Sequence, residues 1–214
     1  SLKNFEVNFI LTPWELEDEK IIKKFEDSYN PLLVKKLSQT KHNDKIKLIR
    51  FPDYAGSMEG FFYNWEGICK GFREIENFYS TKNFTPDYVL RYRSDILPKK
   101  NSSFDIANNL NDNQIIIPDR YHWNGINDQV FLVKYNVIKN FKSFFRYVDI
   151  HIKQKKFFSG EYIFYKFLKK NNLKPVLINF NYRLLREQNF QKKNSEIDLK
   201  SKIPLLDYCE IKLN

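Results

Sequence analysis

An α/β fold with a mostly parallel sheet flanked by helices follows from three features of this sequence. Short apolar strand-like runs alternate with longer amphipathic stretches, no internal repeat interrupts the alternation, and one long aromatic helix separates two strand-rich regions.

Phe5 to Leu11 reads as the first strand. It ends at Thr12-Pro13, and the acids Glu15, Glu17, Asp18 and Glu19 suit the positive end of a helix dipole. Pro31 to Leu37 reads as a further short helix. Lys45 to Phe51 (KIKLIRF) alternates with period two and predicts a strand.

The strongest helix signal begins at Ser57, where Met58, Phe61, Phe62, Trp65, Ile68, Phe72, Ile75 and Tyr79 recur at three- and four-residue steps. Such an aromatic stripe is core material. Gly60, Gly67 and Gly71 weaken the helix intrinsically, which suits a face packed closely against a neighbouring strand.

Tyr88 to Arg93, Gln114 to Ile117, Gln129 to Val133 and Pro175 to Asn179 predict strands. Asn136 to His151 and a Ser159-capped segment from Glu161 to Lys170 predict helices. Residues 1–186 read as a single domain, and residues 187–214 as a polar C-terminal extension packed on it or trailing from it.

Composition narrows the function classes. The 214 residues carry 36 Lys and Arg against 26 Asp and Glu, a net charge of +10. Twenty Phe, thirteen Tyr and three Trp supply a core and exclude a disordered chain. No apolar run approaches the roughly 18 residues that span a bilayer, and the start does not read as a secretory signal. Two cysteines, Cys69 and Cys209, make no disulfide framework and fit a reducing, cytoplasmic setting. The Lys residues alternate with acids instead of forming a basic arm, which argues against nucleic acid and allows at most peripheral membrane association. The common dinucleotide and P-loop fingerprints are absent, as are a nucleophile elbow and a zinc-ligand spacing.

Candidate chemistry concentrates at strand ends. Arg91, Arg93 and Asp95 occupy alternate positions at the carboxyl end of a predicted strand, where ligands of open α/β sheets bind. Two guanidiniums beside a carboxylate suit a diphosphate and a divalent metal; an ion-paired, solvated strand edge fits the spacing equally well. In the loop His122 to Gln129, Asn127 and Asp128 read first as residues that satisfy turn backbone. Asp128 also has the character of a general base or metal-site carboxylate. Glu161 complements a helix dipole or serves as a base, and Arg183 and Arg186 follow the last predicted strand as a phosphate clamp or as surface cations.

The block Asn83 to Ile96 (NFTPDYVLRYRSDI) resembles the YDYVIRxRxD core of a glycosyltransferase-like group. That group includes WavE-type proteins of lipopolysaccharide and capsule synthesis and related viral sugar transferases. The aromatic helix before it agrees in order, as do Gly125 to Gln129, Gly160-Glu161 and Tyr182 to Arg186, so the resemblance spans about Phe5 to Arg186.

It implies a GT-A-like (Rossmann-like) catalytic domain that moves a sugar from a nucleoside-diphosphate sugar, UDP-linked, to a glycan or glycoprotein acceptor with Mn²⁺ or Mg²⁺. In such enzymes an Asp-x-Asp triplet usually holds the metal; at the corresponding positions, Arg93-Ser94-Asp95, only the second acid is present, a departure from two-carboxylate coordination. Asp95 is then the metal ligand, and Arg93 supplies part of the charge neutralisation. Arg91, Arg93, Arg183 and Arg186 become diphosphate contacts, and Asp128 and then Glu161 the candidate bases. Thr12, Pro13 and Trp14 lie beside the nucleotide base if Phe5 to Leu11 is the nucleotide-side strand. The competing class is a non-catalytic basic module that binds nucleic acid or anionic glycan.

Overall fold

The computed structural model describes residues 6–49, 58–99, 110–120, 122, 125–154, 158–184 and 210–211. The chain is mixed α/β, and it divides into two compact units.

One unit takes in residues 87–138 and 158–214 and holds the main sheet. Its strands are β3 (Tyr88–Tyr92), β5 (Gln114–Pro118), β6 (Val130–Lys134), β7 (Lys174–Ile178) and β9 (Glu210–Ile211), in the order β3-β6-β5-β7-β9. The pairs β5–β7 and β7–β9 are parallel, whereas β6 runs antiparallel to both of its neighbours. The sheet is therefore mixed, with β6 the reversed strand. Strands β5, β6 and β7 are apolar along nearly their whole length and buried, as expected of strands covered on both faces. Helix α5 (Gly160–Lys170) packs through Phe164 against Phe131 of β6, with ring centroids 5.5 Å apart. The hydroxyl of its N-cap, Ser159, accepts from Tyr162 N–H at 3.4 Å. A two-stranded antiparallel ribbon joins β4 (Ile96–Pro98) to β8 (Tyr182–Leu184).

The other unit takes in residues 4–86 and 139–157. Its centre is α3 (Met58–Ser80), whose apolar stripe buries Phe61, Phe62, Trp65, Ile68, Phe72 and Tyr79. Trp65 stacks on Phe144 of α4 (Phe144–Lys153) at 3.9 Å between centroids, and Phe141 meets Phe72 edge-on at 5.0 Å. The glycines of α3 do allow a close approach. A Cβ on Gly67 would lie 3.2 Å from the Trp14 ring, and one on Gly71 3.2 Å from the Thr12 hydroxyl. Thr12 and Trp14 directly follow the short strand β1 (Ile10–Leu11).

Three predicted elements take a different form. Pro31 to Leu37 is extended: β2 (Leu33–Val34) pairs in parallel with β1, and Leu37 N–H donates to Pro13 O at 2.7 Å. A short apolar run has no period long enough to separate helix from strand, and the parallel partner decides it. Conversely, the expected strand Lys45 to Phe51 begins within helix α2 (Asn43–Leu48). Ile46 and Ile49, three residues apart, are both half-buried while Leu48 is 63% exposed, which is helical spacing. Lys45 fastens the helix to α4 through Asp149, 2.7 Å away. The segment predicted as one helix from Asn136 to His151 is a 3-10 helix (Tyr135–Ser143) followed by α4. Helix α1 (Glu19–Tyr29) starts where the acids place it, with the Asp18 carboxylate accepting from Lys20 N–H at 2.8 Å.

Among the described residues no helix is long and apolar enough to cross a membrane.

Candidate functional site

The topology brings the ends of three strands to one rim of the main sheet. Tyr92 at the end of β3 pairs with Val130 at the start of the reversed strand β6. Strand β5 pairs antiparallel with β6 as β3 does, so β3 and β5 point the same way. Residues just after β3, just after β5 and just before β6 therefore share an edge, where side chains of different sequence origin can meet.

Arg91 is half-buried there. Burial is the main cause that lowers its guanidinium pKa to about 10, and repulsion from Arg93 adds to it; the negative charges of Asp128 and Asp95 act in the opposite sense. Arg91 stays cationic at neutral pH. Its field joins three of the sequence-predicted residues, Arg93, Asp95 and Asp128, into one charge cluster.

Arg93 and Asp95 form a two-point fork, with Arg93 Nε donating to Asp95 Oδ1 at 2.9 Å and the terminal nitrogen to Oδ2 at 2.7 Å. Both carboxylate oxygens are thus engaged by a cation. Among the described residues no group of three or more His, Cys, Asp or Glu side chains is arranged to hold a metal ion. A metal at Asp95 would have to compete with the fork beside two guanidiniums, so the described residues around Asp95 do not make a metal-ligand set.

Glu161, in the first turn of α5, completes the cluster. Burial, and secondly the negative charge of Asp128, push its carboxyl up to about 8, so it holds its proton at neutral pH. The Ser159 hydroxyl lies 3.2 Å from Glu161 Oε2 and opposes that shift. Asp128 itself is only 8% exposed.

The loop that delivers Asp128 is strapped to α5. Ile126 N–H donates to Glu161 O at 3.0 Å, and Gly125 lies so close that any Cβ on it would collide with the Glu161–Tyr162 peptide. Here glycine is required for a close approach, not for an unusual φ. Asn127, fully buried, holds the rest of the loop. Its backbone N–H donates to His122 Nδ1 at 3.2 Å, and its side-chain oxygen accepts from Gln129 N–H at 2.8 Å. Its amide nitrogen donates to Arg120 O at 2.8 Å and to the Tyr182 hydroxyl at 2.7 Å, and that hydroxyl donates to Gln129 Oε1 at 2.9 Å. Asn127 thus does the turn-satisfying work expected of the Asn-Asp pair, and Asp128 follows it directly.

Arg183 sits in β8, where it is the register partner of Leu97. Arg186 lies outside the described residues. Thr12, Pro13 and Trp14 belong to the other unit. There Trp14 packs on Gly67 of α3 and edge-on to Tyr63 at 6.4 Å, and Pro13 O accepts from Leu37 N–H. Tyr182, Gln129 and His122 were not singled out by the sequence. The only pointers to them were their places in the His122 to Gln129 loop and in the closing Tyr182 to Arg186 segment.

No family model matches the chain, and neither a curated protein nor a solved structure matches it, so likeness assigns it to no family.

Proposed function

We propose that the protein is a glycosyltransferase that moves a sugar from a nucleoside-diphosphate sugar, UDP-linked by the resemblance of its Asn83 to Ile96 block, to a hydroxyl of a glycan acceptor. One observation carries the reading: Arg91, Arg93, Asp95, Asp128 and Glu161 form a single charge cluster at the rim of the main sheet, although they come from three separate stretches of chain. A solvated strand edge would not lower the pKa of one guanidinium and raise that of a carboxyl a few residues from the same edge.

In this mechanism Arg91 and Arg93 bind the donor diphosphate. The bond between the anomeric carbon and the phosphate oxygen breaks, and its electron pair leaves with the nucleoside diphosphate. Two cations aimed at that oxygen act where charge develops. The acceptor oxygen bonds to the anomeric carbon and gives its proton to Asp128. Glu161, protonated below about pH 8, leaves Asp128 as the ionised member of the pair. A reducing, cytoplasmic setting suits the free Cys69. Its thiol is pushed up to about 12 by burial and is therefore inert, and it donates to Phe141 O at 3.4 Å.

Thermal unfolding with a panel of nucleoside diphosphates and their sugars, each with and without Mn²⁺, tests the reading. A saturable rise in Tm with at least one nucleotide, absent in Arg91→Ala, is the expected result. No shift with any nucleotide, together with salt-sensitive binding to RNA or DNA, would replace the transferase by a basic binding module.

A further inference from the structure

A single hydroxyl brackets Asp128. The Tyr182 hydroxyl accepts from the Asn127 amide nitrogen at 2.7 Å and donates to Gln129 Oε1 at 2.9 Å, so it joins the side chains on either side of Asp128. The Asn127 side-chain oxygen accepts from Gln129 N–H at 2.8 Å, and these three bonds close a ring across Asp128. Tyr182 and Asn127 are fully buried, and Gln129 is 8% exposed. Burying polar side chains forfeits hydration that their mutual bonds only slightly more than return, and an apolar filling of the same shape serves stability about as well. What a connected buried network adds is one fixed geometry.

The backbone of Tyr182 belongs to the other half of the charge cluster. It lies in β8, paired with Pro98 of β4, and β4 begins at Ile96, directly after Asp95. Ile96 N–H donates to Arg93 O at 3.2 Å, and Ile96 O accepts from the Tyr92 hydroxyl at 3.0 Å. The turn bearing the Arg93–Asp95 fork is therefore tied to the same ribbon from which Tyr182 reaches the Asp128 loop.

We propose that Tyr182 is a positioning residue, whose hydroxyl fixes Asp128 relative to the Arg93–Asp95 fork and so sets the base against the diphosphate-binding cations. Its effect on turnover rests on the transferase reading; its hold on Asp128 does not.

Tyr182→Phe keeps the ring and its packing on Phe180 and removes only the hydroxyl. Gln129 Oε1 then loses its donor, while the Asn127 amide nitrogen keeps Arg120 O. A displaced base slows proton transfer more than it weakens a donor held by arginines.

Two readouts on the full chain test the assignment. The first needs no substrate: the side-chain carboxyl ¹³C signal that Glu161→Gln removes reports the titration of Glu161. Burial is the first cause that raises this group to about 8, and the charge of Asp128 is the second. The Ser159 hydroxyl, which acts in the opposite sense, is untouched. With Asp128 no longer fixed, the midpoint should fall by about half a unit or more in Tyr182→Phe. Gln129→Met, which removes the acceptor of the same hydroxyl, should move it in the same direction, and either variant decides the point if the other does not fold. The second readout is steady-state turnover with UDP-glucose, UDP-galactose and UDP-N-acetylglucosamine. Tyr182→Phe should lower kcat about tenfold and leave donor KM within about twofold. An unmoved Glu161 midpoint, or a raised donor KM with kcat unchanged, would overturn the positioning role. An unmoved midpoint beside an intact nucleotide-induced rise in Tm removes Tyr182 and spares the transferase. A shifted midpoint in a protein that binds no nucleotide does the reverse.

Discussion

Ile126 N–H donates to the backbone carbonyl of Glu161 at 3.0 Å, and this bond ties the loop carrying Asp128 to the helix carrying Glu161. Two carboxyl groups 33 residues apart in sequence are thereby held close enough for the charge of one to raise the pKa of the other. The electrostatic pairing of Asp128 with Glu161 depends on that strap.

Gly125→Ala should break it. The new methyl would occupy the space of the Glu161–Tyr162 peptide, and backbone cannot swing aside as a long side chain can. The expected loss is about 3 kcal/mol of stability, the upper part of the range for overpacking. It is read from urea unfolding, and the alkaline loss of stability that Glu161 confers should weaken in parallel. An unchanged denaturation midpoint would show that the loop is not held this way.

Glu161 gives a pH signature with a definite sign. Its folded pKa of about 8 lies above the ordinary 4.5, so between those values the native state binds more protons than the unfolded chain. Stability from this group is present at acid pH and declines as pH rises toward 8. Tm of the natural protein should fall across that window by several degrees more than that of Glu161→Gln. Turnover should likewise lose its alkaline limb in Glu161→Gln, whereas Asp128→Asn should abolish it at every pH. Parallel melting curves for the natural protein and Glu161→Gln would contradict the assignment.

Arg91 is the most consequential cation. Arg91→Ala removes the half-buried positive charge beside Asp128 and should lower kcat/KM with a nucleotide-sugar donor about 100-fold, as loss of a group aimed at a leaving oxygen typically does. Arg91→Lys keeps the charge without the fork and should recover part of that loss. Steady-state donor hydrolysis measures both, and equal rates for all three proteins would exclude Arg91 from the reaction.

Asp95→Asn separates a pairing role from a metal role. With Arg93 holding both oxygens of Asp95, the substitution should change UDP affinity less than about threefold and leave any Mn²⁺ response unaltered. A tenfold loss confined to Mn²⁺-containing samples, measured by titration calorimetry, would restore Asp95 as a metal ligand.

In the other unit, Glu66 is a buried carboxylate that accepts from Thr40 N–H at 3.1 Å and from Lys70 at 2.8 Å, with His42 Nε2 at 3.3 Å. Burial opposes its ionisation, but Lys70, Thr40 and His42 together outweigh burial and hold its pKa below the usual 4.5. Glu66→Ala should cost about 2 kcal/mol at neutral pH. A lowered pKa contributes stability above the unfolded value and loses it as pH falls, so the gap to the natural protein should narrow below pH 4.5. Guanidinium titrations at two pH values decide the point.

The sequence alone determined the elements whose own period or caps were strong. The stripe from Met58 to Tyr79, the Ser159 cap, the Asp18 cap and the apolar strands β3, β5, β6 and β7 each carry their signal within a few residues, and local physics suffices to form them. It also marked Arg91, Arg93 and Asp95 as one strand-end group, and Asp128 and Glu161 as separate candidates. Tertiary structure decided the rest. Pro31 to Leu37 is extended, with Leu33–Val34 paired to β1, and Lys45 to Leu48 lie in helix α2, which Lys45 links to Asp149 of α4. Only the reversal of β6 puts Asp128 at the rim where β3 ends, and only the glycine contact at α5 puts Glu161 beside it. The physical reason is range. Helix periods and caps act over a few residues, whereas the pKa of Glu161 and the Asn127–Tyr182 hydrogen bond depend on neighbours that only folding brings together.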